Sequence, residues 1–326
     1  MITRIPVGIL APRPIFFITM SVKRVLPAFF FAIFIFTLFW IFEAQNRPYP
    51  SYNLNREIPT AEIAESLGQT RNRTRLIHFP IGDAFAFVDN NNRGGREHFW
   101  NLVDTAKWEP STFLIFNTVI THLTTVIDFG AWIGPTTLYA AHFAKQVFAL
   151  EPDIVAYQEL HRNINLNAER LRNVHPYHRC ISTKREVVIM NAGPLGHGDS
   201  MSTVNRSAGA NRVLPVQCDT IAHFVREFKI QMPVFIKVDT EGFEAEIIPS
   251  WTDFIAEFKP TVYLSMHQYI RKYSDSERAK VLSTLALFPY ALVATGEHTF
   301  ASVSLNSSST QLCIACDYLL SFEKYF

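Results

Sequence analysis

The chain reads as an α/β protein with a Rossmann-like, largely parallel sheet and helices on both faces. Three observations carry that reading. Short apolar runs at Thr125–Ile127, Val147–Leu150 and Val234–Val238 have the length and the β-branched or aromatic content of buried strands. Helical patterns lie between them, the alternation that builds βαβ units. The first run continues through Asp128-Phe129-Gly130-Ala131-Trp132-Ile133-Gly134-Pro135-Thr136, a glycine turn opening into a helix. In open α/β sheets such a turn, at the carboxyl end of a strand, is where nucleotide-like ligands bind.

The turn has its own chemistry. Pro135 suits a first helical position, and Thr136–Ala141 continues as a helical run. Gly130 and Gly134 let the backbone pass close to a ligand. Asp128-x-Gly130-x-x-x-Gly134 is neither the dinucleotide pattern G-x-G-x-x-G nor a P-loop. Its acidic residue argues against a pyrophosphate and for a ligand with a cationic group. The second strand, Val147–Leu150, ends in Glu151-Pro152-Asp153. A carboxylate about twenty residues after the turn can accept both ribose hydroxyls of an adenosine. Its structural alternative is a carboxylate facing the dipole of the following helix.

A later stretch narrows the reading. Phe235-Ile236-Lys237-Val238-Asp239-Thr240-Glu241-Gly242-Phe243-Glu244 is similar to the I-K-[IV]-D-x-E-G-x-E signature of FkbM-type methyltransferases. Glu109-Pro110 with Phe113, and Val126–Gly134, also resemble that family. The resemblance runs from Phe99 to Gln268. It implies a class I methyltransferase sheet and S-adenosyl-L-methionine as cofactor, contacted by Asp128, Gly130, Ala131, Gly134 and Glu151. By the same resemblance Ser182 lies near the adenine; on local grounds it is a turn serine.

Four segments follow in order. Residues 1–24 precede an uncharged apolar run, Val25–Phe42, which at ~1.5 Å per residue is long enough to cross a hydrocarbon core. Arg4, Arg13, Lys23 and Arg24 stand before it and Glu43 after it, so the positive-inside rule keeps the N-terminus cytosolic and translocates the rest. A signal anchor is favoured over a cleaved signal peptide, because the run is long for an h-region and no clear A-x-A site follows. The expected topology is single-pass type II, with the large domain in the Golgi or endoplasmic reticulum lumen. Sequons at Asn72, Asn205 and Asn306 agree with a glycoprotein. Residues 43–75, rich in Pro, Asn, Arg and Glu, read as a stem. Residues 76–326 form the methyltransferase-like domain, with its core at 99–268. A formal net charge of +1 in 326 residues, 48% of them apolar, argues against nucleic acid as a main partner.

Within the domain, Phe85–Val88 suits a strand, Asn90–Gly95 a turn and Phe113–Ile120 a helix. Ile154–Ala168 reads as a helix and Val174–Ile181 as the third strand of the sheet. Val187–Met190 suggests a hairpin arm. The Gly-, Ser- and Asn-rich loop Asn191–Asn211 is placed at the access route for substrate, with His197 a weak candidate base. Val213–Cys218 is β-like, and Asp219 is placed as the N-cap of a helix reaching Phe228. The tail adds a helix at Ser274–Leu287 and strands at Ala291–Ala294 and Gln311–Ala315. Cys180, Cys218, Cys313 and Cys316 lack zinc spacing and read as packing residues, with room for one disulfide.

The catalytic reading centres on the strand Val234–Val238. Asp239, Glu241 and Glu244 follow its carboxyl end, and a helix starting near Gly242 would set the two glutamates within one turn. Capping explains one such carboxylate, not all three. Methyl transfer needs a positioned acceptor and a group to take its proton. Asp239 is the first candidate base and His267, after Tyr263–Met266, the second. Carboxylates suit a hard divalent cation, but the ligand set is incomplete and no metal is predicted. The expected activity is O-methylation of a small-molecule, glycan or glycolipid hydroxyl. The alternative is a non-catalytic, membrane-anchored scaffold that keeps the fold. A nucleotide-sugar transferase would want a D-x-D motif, and none occurs.

Overall fold

A computed structural model describes residues 73–88, 96–191, 197–204, 213–267, 272–305 and 316–325. The Val25–Phe42 run, the 90–95 turn, the three sequon asparagines, the strand expected at 311–315 and Cys313 lie outside these residues. Among the described residues no helix is long and apolar enough to cross a membrane.

The strands that set the architecture are β1 (Arg73–His78), β2 (Asp83–Val88), β3 (Thr125–Phe129), β4 (Gln146–Leu150), β5 (Val174–Tyr177), β6 (Cys180–Ile181), β7 (Glu186–Asn191), β8 (Thr203–Val204), β9 (Val213–Asp219), β10 (Val234–Val238), β11 (Thr261–Ser265), β12 (Tyr290–Gly296), β13 (Thr299–Ser302) and β14 (Asp317–Ser321). The central sheet has eight strands in the order β13-β12-β14-β11-β10-β3-β4-β5. From β5 to β11 neighbours are parallel; β14, β12 and β13 extend the sheet antiparallel. The order reverses between β3 and β10, since the chain leaves β3 towards β4 on one side and returns to β10 on the other. That switch point is where a ligand crevice opens.

Every residue of β3 and β10 is buried, as expected of strands covered on both faces. Side-chain alternation divides the core in two. Val126, Val147, Ala149, Phe235 and Tyr263 pack with the helices Arg96–Asp104, Pro110–Val119, Pro135–Ala140 and Ile154–Leu166. Ile127, Phe148, Leu150, Ile236 and Leu264 pack with Ile221–Glu227, Glu244–Ile247, Thr252–Phe258 and Asp275–Leu285. Each of these sheet side chains points to the face opposite its neighbour's, the period of two that a pleated strand imposes.

Several expectations need correction. The run read as one strand, Val174–Ile181, is two: β5 joins the central sheet, and β6 pairs with β9 in a separate four-stranded arm, β6-β9-β7-β8. Apolarity alone does not show that a strand changes sheet. The N-cap of the helix Ile221–Glu227 is Thr220, whose hydroxyl accepts from His223 N; Asp219 is the last residue of β9. Cys180 and Cys218, read as packing residues with room for one disulfide, are joined by one across β6 and β9. The antiparallel hairpin β12–β13 doubles the expected single strand, and among the described residues the last strand is Asp317–Ser321.

At the switch point Gly130 has φ +79°, and a Cβ there would overlap the carbonyl oxygen of Asp239. Gly130→Ala is therefore expected to cost at least about 2 kcal/mol, from left-handed strain and backbone overlap of roughly 1–3 kcal/mol each. Urea unfolding of the variant beside the parent measures it.

Candidate functional site

Three groups of residues line one cavity at the carboxyl ends of β3, β4 and β10. The glycine turn contributes Gly130, Ala131, Trp132, Pro135 and Thr136. One end is formed by Leu150, Glu151 and Pro152 with Arg179, Cys180 and Ile181. The other is polar: Glu109, Lys237, Asp239, Thr240 and Glu241. Phe99 and Trp108 add aromatic surface, and Asp199, Ser200 and Ser202 add a wall from the arm.

Asp128 does not line this cavity. It is fully buried at the end of β3, and its Oδ2 accepts from Thr136 Oγ1 at 2.8 Å and Thr137 Oγ1 at 2.7 Å. It ties the strand to the start of the next helix, so the turn between them is held at both ends. Its Oδ1 is buried and has no hydrogen-bond partner among the described residues. The sequence places Asp128 among the cofactor contacts; in the structure its side chain holds the turn from beneath. Gly134, φ +98°, also sits back from the cavity, with Leu160 beneath it. Gly130 N and Ala131 N both donate to Leu150 O, which seats the turn against β4.

Glu151 is 5% exposed at the cavity edge. Its Oε2 accepts from Trp132 N at 2.8 Å and its Oε1 from Asp153 N at 2.7 Å. Each oxygen keeps lone-pair capacity for a second donor. Burial pushes its pKa up to about 8, against the two amide donors that favour the charged form. Ser182 is elsewhere: it is buried, donates to Glu186 Oε1 at 2.7 Å, and is not part of the lining, whereas its neighbours Cys180 and Ile181 are.

The polar end is an ionic network. Lys237, 2% exposed in the middle of the sheet, sits in register with Asp128 and donates to Asp239 Oδ2 at 2.6 Å. Burial alone would lower its pKa, but Asp239, Asp128 and Glu109 raise it and keep it charged. Burial would raise the pKa of Asp239; Lys237, then His267, hold it low. Glu244 is fully buried and lies behind the cavity. Its Oε1 accepts from Thr240 N, Thr240 Oγ1, Gly242 N and His267 Nδ1, and its Oε2 from Gly242 N and Tyr273 Oη. The helix begins at Glu244 rather than Gly242, so Thr240–Phe243 is a turn stapled by this carboxylate. His267 reaches Asp239 Oδ1 at 3.3 Å and Glu241 Oε2 at 3.9 Å through its other nitrogen. Burial opposes its charging, yet Glu244 and Asp239 lift its pKa to about 9.

Two cavity carboxylates differ from these. Burial, reinforced by Asp239, pushes Glu241 up to about 7; it sits at φ +53° in the stapled turn. Burial likewise lifts Glu109 to about 7, with Lys237 pulling the other way. Glu109 was not among the residues expected at the site. It occupies the N-cap of the helix Pro110–Val119 in a left-handed conformation, φ 42°, and makes no side-chain cap. Its Oε2 accepts from Thr112 Oγ1 at 2.9 Å instead. The signal was present in the Glu-Pro pair before a helix; what it lacked was any sign that the side chain turns into the cavity.

Asp239, Glu241 and His267 also bring three potential ligand atoms within 4.8 Å of one another. Lys237 and Glu244 already engage two of these residues, and the set stands as a hydrogen-bonded ionic cluster. His197 pairs with Asp153 Oδ2 at 3.1 Å and does not line the cavity.

Glu244→Gln is expected to destabilise the fold by about 2–4 kcal/mol, because an amide NH₂ would face donors that converge on a buried carboxylate. A melting temperature several degrees below the parent's, at neutral pH, is the readout.

Residues 128–288 match the family model described as Methyltransferase FkbM domain. No curated protein matches the chain. Among solved structures it is similar to methyltransferase FkbM from Methylobacillus flagellatus KT, at 18% identity and TM-score 0.40, over 68% of this chain and 52% of that one. The chain thus spans about half the length of that protein. It is also similar to a putative O-methyltransferase from Klebsiella pneumoniae, at 12% identity and TM-score 0.36 over 66% and 80%. An O-methyltransferase from Bacillus cereus in complex with SAH matches at 10% identity and TM-score 0.35 over 65% and 80%.

Proposed function

Residues 128–288 of this chain belong to the FkbM methyltransferase family, and from that premise we propose that the protein is an S-adenosyl-L-methionine-dependent O-methyltransferase acting on a hydroxyl of a glycan or glycolipid. The observation that carries the reading is the cavity itself, where a glycine turn and Glu151 at one end face a carboxylate-rich wall at the other.

The residues present fit the cofactor. Glu151 keeps acceptor capacity for ribose hydroxyls, Gly130 brings bare backbone to the cavity, and Asp128 holds the turn from beneath through Thr136 and Thr137. S-adenosyl-L-methionine supplies the methyl group on an activated sulfonium. The chain has to orient the acceptor, exclude water and take a proton. Phe99 and Trp108 offer apolar faces to a sugar ring, and Glu109, Asp239, Thr240 and Glu241 offer acceptors to its hydroxyls. Asp239, paired with Lys237, and His267, held as a cation by Glu244, are poor proton acceptors near neutral pH. Glu109 and Glu241 have the raised proton affinity that a general base needs there. Glu109 is assigned the proton: Glu241 lies 3.9 Å from His267 Nε2, whereas Lys237, the cation acting on Glu109, is bonded to Asp239 at 2.6 Å. Asp239, Glu241 and Glu244 with His267 are assigned to acceptor orientation and to the rigidity of that wall.

For localisation we keep the Val25–Phe42 anchor, a type II topology and a lumenal domain. The Cys180–Cys218 disulfide supports that reading, since such bonds persist in oxidising compartments.

Calorimetric titration of S-adenosyl-L-methionine into the detergent-solubilised full chain is expected to show micromolar binding, weakened at least ~10-fold by Asp128→Ala through loss of the held turn. No binding by a folded parent overturns the enzyme reading and favours the scaffold. With an acceptor found, kcat/KM is expected to rise with pH through about 7, since a carboxylate base works only when deprotonated. Glu109→Gln should lower kcat on the order of 100-fold and erase that limb. A limb that survives there and disappears in Glu241→Gln reassigns the proton to Glu241.

A further inference from the structure

One wall of the cavity comes from outside the central sheet. Asp199, Ser200 and Ser202 line it, yet they belong to the arm, just before the two-residue strand β8. A segment with so little ladder pairing has to be held by other means. The structure shows what holds it. Arg96 Nη2 donates to Gly198 O at 2.6 Å, and Trp132 Nε1 donates to the same oxygen at 3.0 Å. Gly198 N donates to the buried Asp153 at 2.9 Å. Gly198 has φ +87°, and a Cβ there would stand 2.8 Å from Val155, so the chain passes tightly over the start of the helix Ile154–Leu166.

Arg96 is an unusual anchor. It is 6% exposed, its Nε is shared by the two oxygens of Glu159 at 3.0 and 3.2 Å, and its guanidinium lies 4.6 Å from the centre of the Trp132 ring. Burying a guanidinium is costly unless its partners are well placed. Here three partners from three separate stretches meet it: Glu159, Trp132 and Gly198. Trp132 links this cluster to the cofactor end of the cavity. Its main-chain N–H holds Glu151, the carboxylate assigned to the ribose, while its indole holds the arm.

We propose that His197–Ser202 is a strap that closes over the bound cofactor, and that Arg96 is the positioning residue that latches it. The proposal rests on the cofactor reading above. Trp132, bonded to Glu151 through its main chain, fixes Gly198 together with Arg96, and Asp199, Ser200 and Ser202 then cover a ligand bound beside Glu151. The reverse sequence releases it. The latch thus sets cofactor residence time rather than the encounter rate.

The test needs no methyl acceptor. Surface plasmon resonance of S-adenosylhomocysteine on the immobilised full chain gives both rate constants. Arg96→Ala, and Trp132→Phe, which keeps an aromatic side chain but removes the indole N–H, are each expected to raise the dissociation rate about 10-fold with association within about 3-fold. Arg96→Lys, which keeps a cation able to reach Gly198 O, should recover part of the residence time. Hydrogen exchange at 197–202 should slow on adding S-adenosylhomocysteine to the parent and much less in Arg96→Ala. Unchanged dissociation in both Arg96→Ala and Trp132→Phe, whatever their melting temperatures, overturns the strap. A folded parent that does not bind at all overturns the cofactor reading and the strap with it.

Discussion

Two parallel strands end so close together that only a glycine fits between them. Gly130, following β3, lies against the carbonyl of Asp239, following β10, and Asp239 N returns a hydrogen bond to Phe129 O. This approach places the glycine turn and the acidic wall on either side of one cavity. It follows from the order of the sheet, because the chain diverges from β3 and comes back to β10 beside it. The crevice between diverging connections needs no further construction. What each strand carries at its carboxyl end then decides the chemistry.

Both strand ends are braced by buried carboxylates that do not themselves line the cavity. Asp128 bonds the two threonines that open the next helix, and Glu244 gathers Thr240, Gly242, His267 and Tyr273. Net hydrogen bonds to charged groups contribute roughly 1.5–3 kcal/mol each, so these two residues are major local restraints. Their work lets Asp239, Glu241 and Glu151 keep fixed positions at the surface of the cavity. A site that has to align two reactants gains from such rigidity.

Charge is distributed unevenly over the polar wall. Lys237 and His267 hold Asp239 ionised, while Glu109 and Glu241 carry raised proton affinities. Similar side chains thus differ in proton affinity within one cavity: Asp239 is bonded to Lys237 at 2.6 Å, whereas burial outweighs the nearby cations at Glu109 and Glu241. That separation is how carboxylates divide binding from proton transfer.

The order of elements was legible from residue pattern. β3, β4 and β10 are short buried runs, and their ends carry Asp128, Glu151 and Asp239, positions that periodicity and glycine placement reveal. The side on which each carboxylate works was not legible. Asp128 and Glu244 turn into the core, Glu109 turns out of a helix cap into the cavity, and Ser182 misses it by one residue. Val174–Ile181 reads as one strand because only His178 and Arg179 separate its two β-like ends, and a two-residue polar break does not show that the chain changes sheet. Arg96 and Gly198 lie 102 positions apart and carry no motif. By itself, then, the sequence determined the strand–turn–helix units and the residues at their ends, because backbone propensity and burial pattern act over a few neighbouring positions. Tertiary structure alone decided which of those side chains meet, since distances, buried charges and raised proton affinities exist only once separate strands are brought into register.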